Sequence, residues 1–439
     1  METILPGVAA AANPPSIAER DPIYRKIAWR IMPVLLTGYV IAYLDRVNVG
    51  FAKLQMLGDL KFSDAVYGFG AGIFFLGYFV FEVPSNIILH KLGARIWICR
   101  VLIAWGIVSA CTAFVRTPLQ FYTVRFLLGV AEAGFFPGMI LYLTYWFPSW
   151  RRAKMVALLM AGNPISGILG GPLSGYILHR FTSSRHFAGW QWLFLIEALP
   201  AIVLGIFIPF YLDSRVAQAK WLSEPEKAVI AAEISQEASV KTHHTFGAAM
   251  TSARIWLMCS ILFCIVMGSY AIGFWQPTII RQTGVSNTFT IGLLTIAPYT
   301  LALVSMILTG RHADKTCERR WHLVAPNILA AAGFILCTQA GSSTMIAMAG
   351  LILSVTGVVT ALPMFWALPT SFLGGVAAAA GIALVNCVGN IAGFVSPAII
   401  GFLKTHTHTL NSGLYLVAAC HIAASILILT LVRAEVVNH

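Results

Sequence analysis

Apolar runs of about 20 residues recur along this chain, and no other feature limits its fold as strongly. A helix of that length matches the hydrocarbon thickness of a bilayer. A spanning barrel would show short alternating segments instead. Twelve runs are expected to form helices, at about 29–49, 65–89, 96–115, 119–147, 153–178, 190–212, 255–280, 289–310, 322–340, 345–368, 375–401 and 412–433. Of the 439 residues, 58% are hydrophobic and 10% charged, against about 25% charged in a soluble domain. The fold class is therefore an all-α integral membrane protein, and the mean hydropathy of +0.79 agrees.

The net charge of +12 could point to nucleic acid, but the placement of the 29 Lys and Arg decides otherwise. Most fall in loops on the side of the N-terminus. Only Arg46 and Arg125 lie away from the N-terminal-side ends of the apolar runs, and Lys53, Lys61, Arg116, Arg180, Arg185, Arg281 and Lys404 make up the opposite side. This is the positive-inside bias, which places both termini in the cytoplasm of a cell whose inner (plasma) membrane holds the chain. No nucleic-acid partner is implied.

The residues divide into an N-terminal tail (1–28), six spans (29–212), a polar stretch (213–253), six more spans (254–433) and a short tail (434–439). The tail lacks a basic region ahead of a long apolar core, so it reads as cytoplasmic and disordered rather than as a signal peptide. The polar stretch, with Glu224, Glu226, Lys227, Glu233, Glu237 and Lys241, is long for an ordinary connection and reads as a cytoplasmic linker. Six spans, a linker and six spans is the layout of a duplicated transporter. A repeat supports it: Gly310, Asp314, Lys315, Arg319 and Arg320 follow the eighth span, and a degraded copy from Asn86 to Arg95 follows the second.

Within the fourth run, Arg125 and Glu132 stand two helical turns apart on one face. Each is costly in a bilayer, by about 2.5 to 3.5 kcal/mol on insertion scales, so that face meets something polar. The first run ends in Asp45, Arg46 and Asn48. Gly68 and Gly72 in the second run are spaced for close helix packing. Eight cysteines are scattered without metal-ligand spacing, and His406 and His408 read as solvated, so neither metal nor cofactor is expected. No HExxH, GxSxG or GxxxxGK[ST] occurs, which argues against an enzyme or an ATP-driven pump.

The Gly310–Arg320 loop resembles the signature of the major facilitator superfamily. The N-terminal half is similar to its anion:cation symporter family, in YLDRVNVGFA (43–52), GYFVFEVPSN (77–86), RFLLGVAEAGFFPG (125–138), WFPSWRRAK (146–154) and GWQWLFLIEALPA (189–201). The wording is nearest to bacterial tartrate permeases, then to phthalate and hydroxyphenylacetate permeases. The resemblance implies two six-helix bundles in a carrier that imports a small organic anion with protons and acts as a monomer. It implies proton coupling at Asp45 and Glu132, carboxylate binding at Arg125 and Arg46, and a gating role for Gly310, Asp314, Lys315, Arg319 and Arg320. Two departures stand out. His90 replaces an acidic residue of the first signature loop, and Gly167, Gly171, Pro172 and Gly175 partly match an antiporter pattern that Leu158 and Tyr176 break.

A guanidinium fork suits a carboxylate better than an ammonium does, so Arg125 is the expected substrate anchor. In the empty carrier it would pair with Glu132 or Asp45, while Arg46 would hold Asp45 or contact substrate. Tyr43 and Tyr78 line the cavity or pack, and Asn163 faces the same space. Asn386 and Asn390 contact substrate or bond helix to helix. Trp366 walls the site or anchors at the interface. Glu82 and Glu197 read as structural. The substrate is a tartrate-like hydroxy acid; aromatic carboxylates and a non-transporting sensor of organic acids are the alternatives.

Overall fold

In a computed structural model, residues 17–182, 186–238, 252–372 and 377–432 are described. Most of the N-terminal tail, the second part of the polar stretch and the final residues fall outside them. The helices are α1 (Ile17–Leu60), α2 (Asp64–Leu92), α3 (Ala94–Cys111), α4 (Pro118–Glu132), α5 (Phe135–Thr144), α6 (Ser149–Met160), α7 (Gly162–Arg180) and α8 (Gly189–Tyr211). After α9 (Glu224–Ala238) come α10 (Ala253–Gln282), α11 (Thr288–Leu294), α12 (Ile296–Thr316), α13 (Arg320–Thr338), α14 (Thr344–Phe372), α15 (Ala377–Thr407) and α16 (Asn411–Leu431). Twelve segments are long and apolar enough to span, with α4–α5, α6–α7 and α11–α12 each forming one.

Those three interruptions are not in the periodicity, which predicts unbroken helices there. The first has a clear cause. Gly134 takes a left-handed φ of +86°, and a Cβ there would lie 2.1 Å from Ser85 Oγ. Ser85 in turn donates to the Ala133 carbonyl at 2.5 Å, filling the place of the N–H that Pro137 lacks. Glu132 therefore sits at the very end of α4.

Helices of the two halves meet where α2 packs on α15, α7 on α11 and α1 on α10. The contacts concentrate at the end of the bundle remote from α1's start and α16's finish. There a Cβ on Gly68 would lie 2.2 Å from the Pro397 carbonyl, and one on Gly292 2.2 Å from that of Gly171. Only glycine permits such backbone approach, as the Gly68–Gly72 spacing predicts. Leu119, Val203, Ile206, Phe210 and Ile426 are exposed on the flanks, an apolar jacket for lipid.

Helix α9 docks on the N-terminal half. Tyr24 donates to Glu233 at 2.8 Å, and Lys26 pairs with Glu226 at 3.0 Å. The Ser223 backbone N–H and the Lys26 ammonium together hold the Glu226 carboxyl below its ordinary pKa. Trp221 stacks on Trp146 with ring centroids 5.7 Å apart.

Candidate functional site

A cavity with about 1180 Å³ of empty space, its open mouth included, lies between the halves on the terminal side of that closure. From the N-terminal half come Tyr39, Tyr43, Arg46, Phe75, Tyr78 and Glu132, with Phe135, Phe136 and Asn163 above them. The C-terminal half contributes Ser269, Tyr270, Trp366, Asn386 and Asn390. Of the expected substrate contacts, Tyr43, Arg46, Tyr78, Asn163, Asn386, Asn390 and Trp366 all reach this wall. Arg125 does not.

Arg46 is the only Lys or Arg among the described residues of the wall. Its Nη2 donates to Glu132 Oε1 in an ion pair that joins α1 to the end of α4. The guanidinium centre lies 5.3 Å from the ring of Tyr43, 5.4 Å from Phe74, 6.0 Å from Phe75 and 5.7 Å from Tyr78. Four π faces thus surround a cation whose one carboxylate partner is nearly sealed, with 1% of the Glu132 side chain exposed. The expected Arg46–Asp45 and Arg125–Glu132 pairs are not formed. The bend at Ala133–Gly134 leaves Glu132 beside the first helix, and Arg46 reaches it first.

Arg125 lies two turns nearer the closed end. It is fully buried, 5.3 Å from the ring of Phe74, and none of its three nitrogens has a hydrogen-bond partner among the described residues. Asp45 is buried behind the wall as well, accepting from Ser109 Oγ and from Asn48 Nδ2 at 3.2 Å. It stands within Coulombic reach of both Arg125 and Glu132. The four buried charges can therefore balance, yet only Arg46 and Glu132 touch the cavity. Glu197 accepts from Ser174 at 2.6 Å within the N-terminal half.

Across the cavity, Asn390 Nδ2 donates to Asn386 Oδ1 at 3.1 Å, so this pair bonds along one helix rather than between two. Tyr270, which sequence reasoning missed, lies 4.3 Å ring to ring from Phe75 and brings the halves together at the floor. Phe75, Tyr39 and Ser269 were missed too; in a chain 12% aromatic, residue type alone does not mark them out.

The Gly310–Arg320 segment, expected as a loop, stands apart from the cavity at the terminal end, where Gly310 to Thr316 continue α12 and only residues 317–319 form a loop before α13. Asp314 and Lys315 are exposed, Cys317 closes α12 with φ +51°, and Arg319 precedes α13. Arg320 Nη2 donates to the Leu429 carbonyl, tying the loop to α16. Among the described residues no cluster of metal-ligating side chains occurs.

A family model described as Major Facilitator Superfamily matches residues 35–397. The chain is 46% identical over 418 residues to a metabolite transport protein named NicT of Pseudomonas putida, covering 95% of each. It is 48% identical over 415 residues to a protein of Agrobacterium vitis named as a tartrate transporter, covering 94% of this chain and 92% of that one. Among solved structures, the partially occluded inward-open xylose transporter XylE of Escherichia coli shares the fold, with TM-score 0.73 at 15% identity over 92% of this chain and 98% of that one.

Proposed function

We infer, from the premise that this chain belongs to the major facilitator superfamily, that it is a proton-coupled importer of a small organic carboxylate working by alternating access. The chain is a multi-pass membrane transporter of organic substrates, not an enzyme. The observation that supports the finer reading is the Arg46–Glu132 pair at the base of a cavity with no second Lys or Arg among its described lining.

In the empty carrier Glu132 neutralises Arg46. A substrate carboxylate entering the cavity competes for the guanidinium, which offers it a planar fork. Glu132, displaced and nearly without solvent, then holds its charge at a steep cost, and taking a proton removes that cost. Substrate anion and proton thus arrive together and leave together. Arg125 stays sealed as the counter-charge to Asp45, so the expected anchor role passes from Arg125 to Arg46. If Asp45 also took a proton, two protons per monoanion would carry one net charge inward, worth about 2.3 kcal/mol per 100 mV. Both chain ends are cytoplasmic in this reading, and the form described is open inward.

The substrate is a tartrate-like hydroxy acid, which the Agrobacterium vitis relative's name favours and which Asn163, Asn386 and Asn390 would serve as hydroxyl partners. A second reading, an aromatic carboxylate such as phthalate or hydroxyphenylacetate, is favoured by Tyr43, Phe75, Tyr78, Phe136, Tyr270 and Trp366 around the same space. A thermal-shift screen across both classes separates them. For the coupling itself the test is Glu132→Gln, which mimics the protonated acid. It is expected to keep counterflow exchange and to lose gradient-driven uptake; retained concentrative uptake removes Glu132 from the proton path.

A further inference from the structure

The closed end of the bundle holds a charge cluster whose parts come from both halves. Asp64, at the start of α2, lies 2.7 Å from Lys53 Nζ on α1 and 3.1 Å from Lys404 Nζ on α15. Lys53 is 4% exposed, and its ammonium sits 3.4 Å from the ring centroid of Trp275 on α10 and 4.5 Å from that of Tyr67. Lys404 Nζ lies 5.7 Å from the same Trp275 ring. Around this centre, Ala65 N donates to Thr405 Oγ1 at 2.9 Å and Tyr67 Oη to the Phe274 carbonyl at 2.9 Å. Arg281 donates to the Leu54 carbonyl.

The division between the halves decides what the cluster does. Lys53 and Asp64 belong to the N-terminal half and stay together whichever way the carrier faces. Lys404 and Trp275 belong to the C-terminal half, so the Asp64–Lys404 ion pair and the Lys53–Trp275 contact both span the seam. One carboxylate serves two ammoniums. Without it, two like charges would face each other across closely packed helices in a poorly solvated place, where repulsion is weakly screened.

We propose that Asp64, shared between Lys53 and Lys404 and capped by Trp275, is an electrostatic clasp that holds the end of the bundle remote from the chain termini closed. Opening that end separates Lys404 from its counter-ion and Lys53 from the Trp275 ring, leaving it only Tyr67. The clasp thereby sets the balance between the two access states without touching substrate. The inference rests on alternating access, and its readout is a distance that needs neither a known substrate nor a proton gradient.

The test is double electron–electron resonance on the full chain in lipid, with the eight native cysteines replaced by serine or alanine. One label pair, Arg116→Cys with Ser342→Cys, spans the halves at the remote end. Another, Lys91→Cys with Arg311→Cys, spans them at the terminal end. In Asp64→Asn the first pair is expected to gain a longer-distance population and the second a shorter one. The ratio of states should move about fivefold, equivalent to about 1 kcal/mol. Lys404→Ala, which leaves the Lys53–Asp64 pair in place, is expected to shift the same way by less, and it serves if Asp64→Asn does not fold. Asp59→Asn is the control: Asp59 bonds Trp190 inside the N-terminal half at the same end, and its loss is expected to leave both distances unchanged. Distances unchanged in the clasp variants, or shifted equally by Asp59→Asn, overturn the proposal. Failure of gradient-driven uptake with the distance shifts intact would instead count against the coupling reading.

Discussion

Replacing Arg46 tests whether the cavity is built around one ion pair. The Glu132 side chain is 1% exposed and that of Arg46 14%, so Arg46→Gln strands a carboxylate that water barely reaches. Removing one partner of a buried pair costs about 3 to 5 kcal/mol. The partial solvation of Arg46 and the option of protonating Glu132 place this site at or below the lower end of that range. Arg46→Gln/Glu132→Gln removes both charges together and should recover much of the loss, because a neutral amide pair can satisfy itself where a lone carboxylate cannot. Substrate recognition should not recover. Each charge-assisted hydrogen bond lost to the ligand costs roughly 1.5 to 3 kcal/mol, or about 10- to 150-fold in affinity. Arg46→Lys keeps the charge but lacks the fork and falls between, since a lysine also fits the four surrounding rings less well. The assays are melting of purified protein in detergent and equilibrium counterflow in vesicles. A double variant no more stable than Arg46→Gln, or Arg46→Gln exchanging substrate at the parent rate, would mean that the cavity is not built around this pair.

Two further outcomes follow from particular geometries. Gly134→Ala forces a side chain into a left-handed position and against Ser85 Oγ 2.1 Å away; it should lower stability by at least about 1 to 3 kcal/mol, read as an earlier melt, and an unchanged melt would mean the α4–α5 break relaxes freely. The carboxyl of Glu226 is depressed by the Ser223 N–H and by Lys26, so its share of α9 docking is complete above the unfolded glutamate value of about 4.3 and disappears as pH falls through its lower folded value. Hydrogen-exchange protection across 224–238, taken relative to the intrinsic rate at each pH, should fall only in that acid window, and a loss of protection between pH 5 and 7 would assign the docking to other groups.

The twelve spans were readable because bilayer-length apolar runs leave the backbone one choice. The apolar pattern did not show the helix interruptions, although Pro137, Pro164 and Pro298 stand just beyond the three breaks and Pro164 marks the fifth run as one that kinks. At the first break Pro137 leaves the Ala133 carbonyl without an N–H four residues on, but the Ser85 hydroxyl that fills the place comes from another helix, which no local pattern announces. The same limit governed the site. Spacing put Arg125 and Glu132 on one face of α4, and the resemblance brought in Asp45 and Arg46. Neither gave depth along the bundle, and depth separates a cation on the cavity wall from one sealed beneath it. Asn386 and Asn390 were legible as a pair four residues apart on one face, but their hydrogen bond runs to each other along the helix and not to a neighbouring helix. Lys53 and Asp64 fall between the first two expected spans, and their pairing was not legible because their partner Lys404 lies in the other half, 340 positions beyond Asp64 in sequence.

Proton entry, in this reading, drives a carboxylate uphill through the Arg46–Glu132 cavity. The most direct measurement is accumulation of a labelled substrate, chosen by the thermal-shift screen, in vesicles holding the purified protein under an imposed inward proton gradient. Concentration above the outside level, collapsed by a protonophore, is the predicted result. Equal accumulation with no gradient and no membrane potential would contradict it.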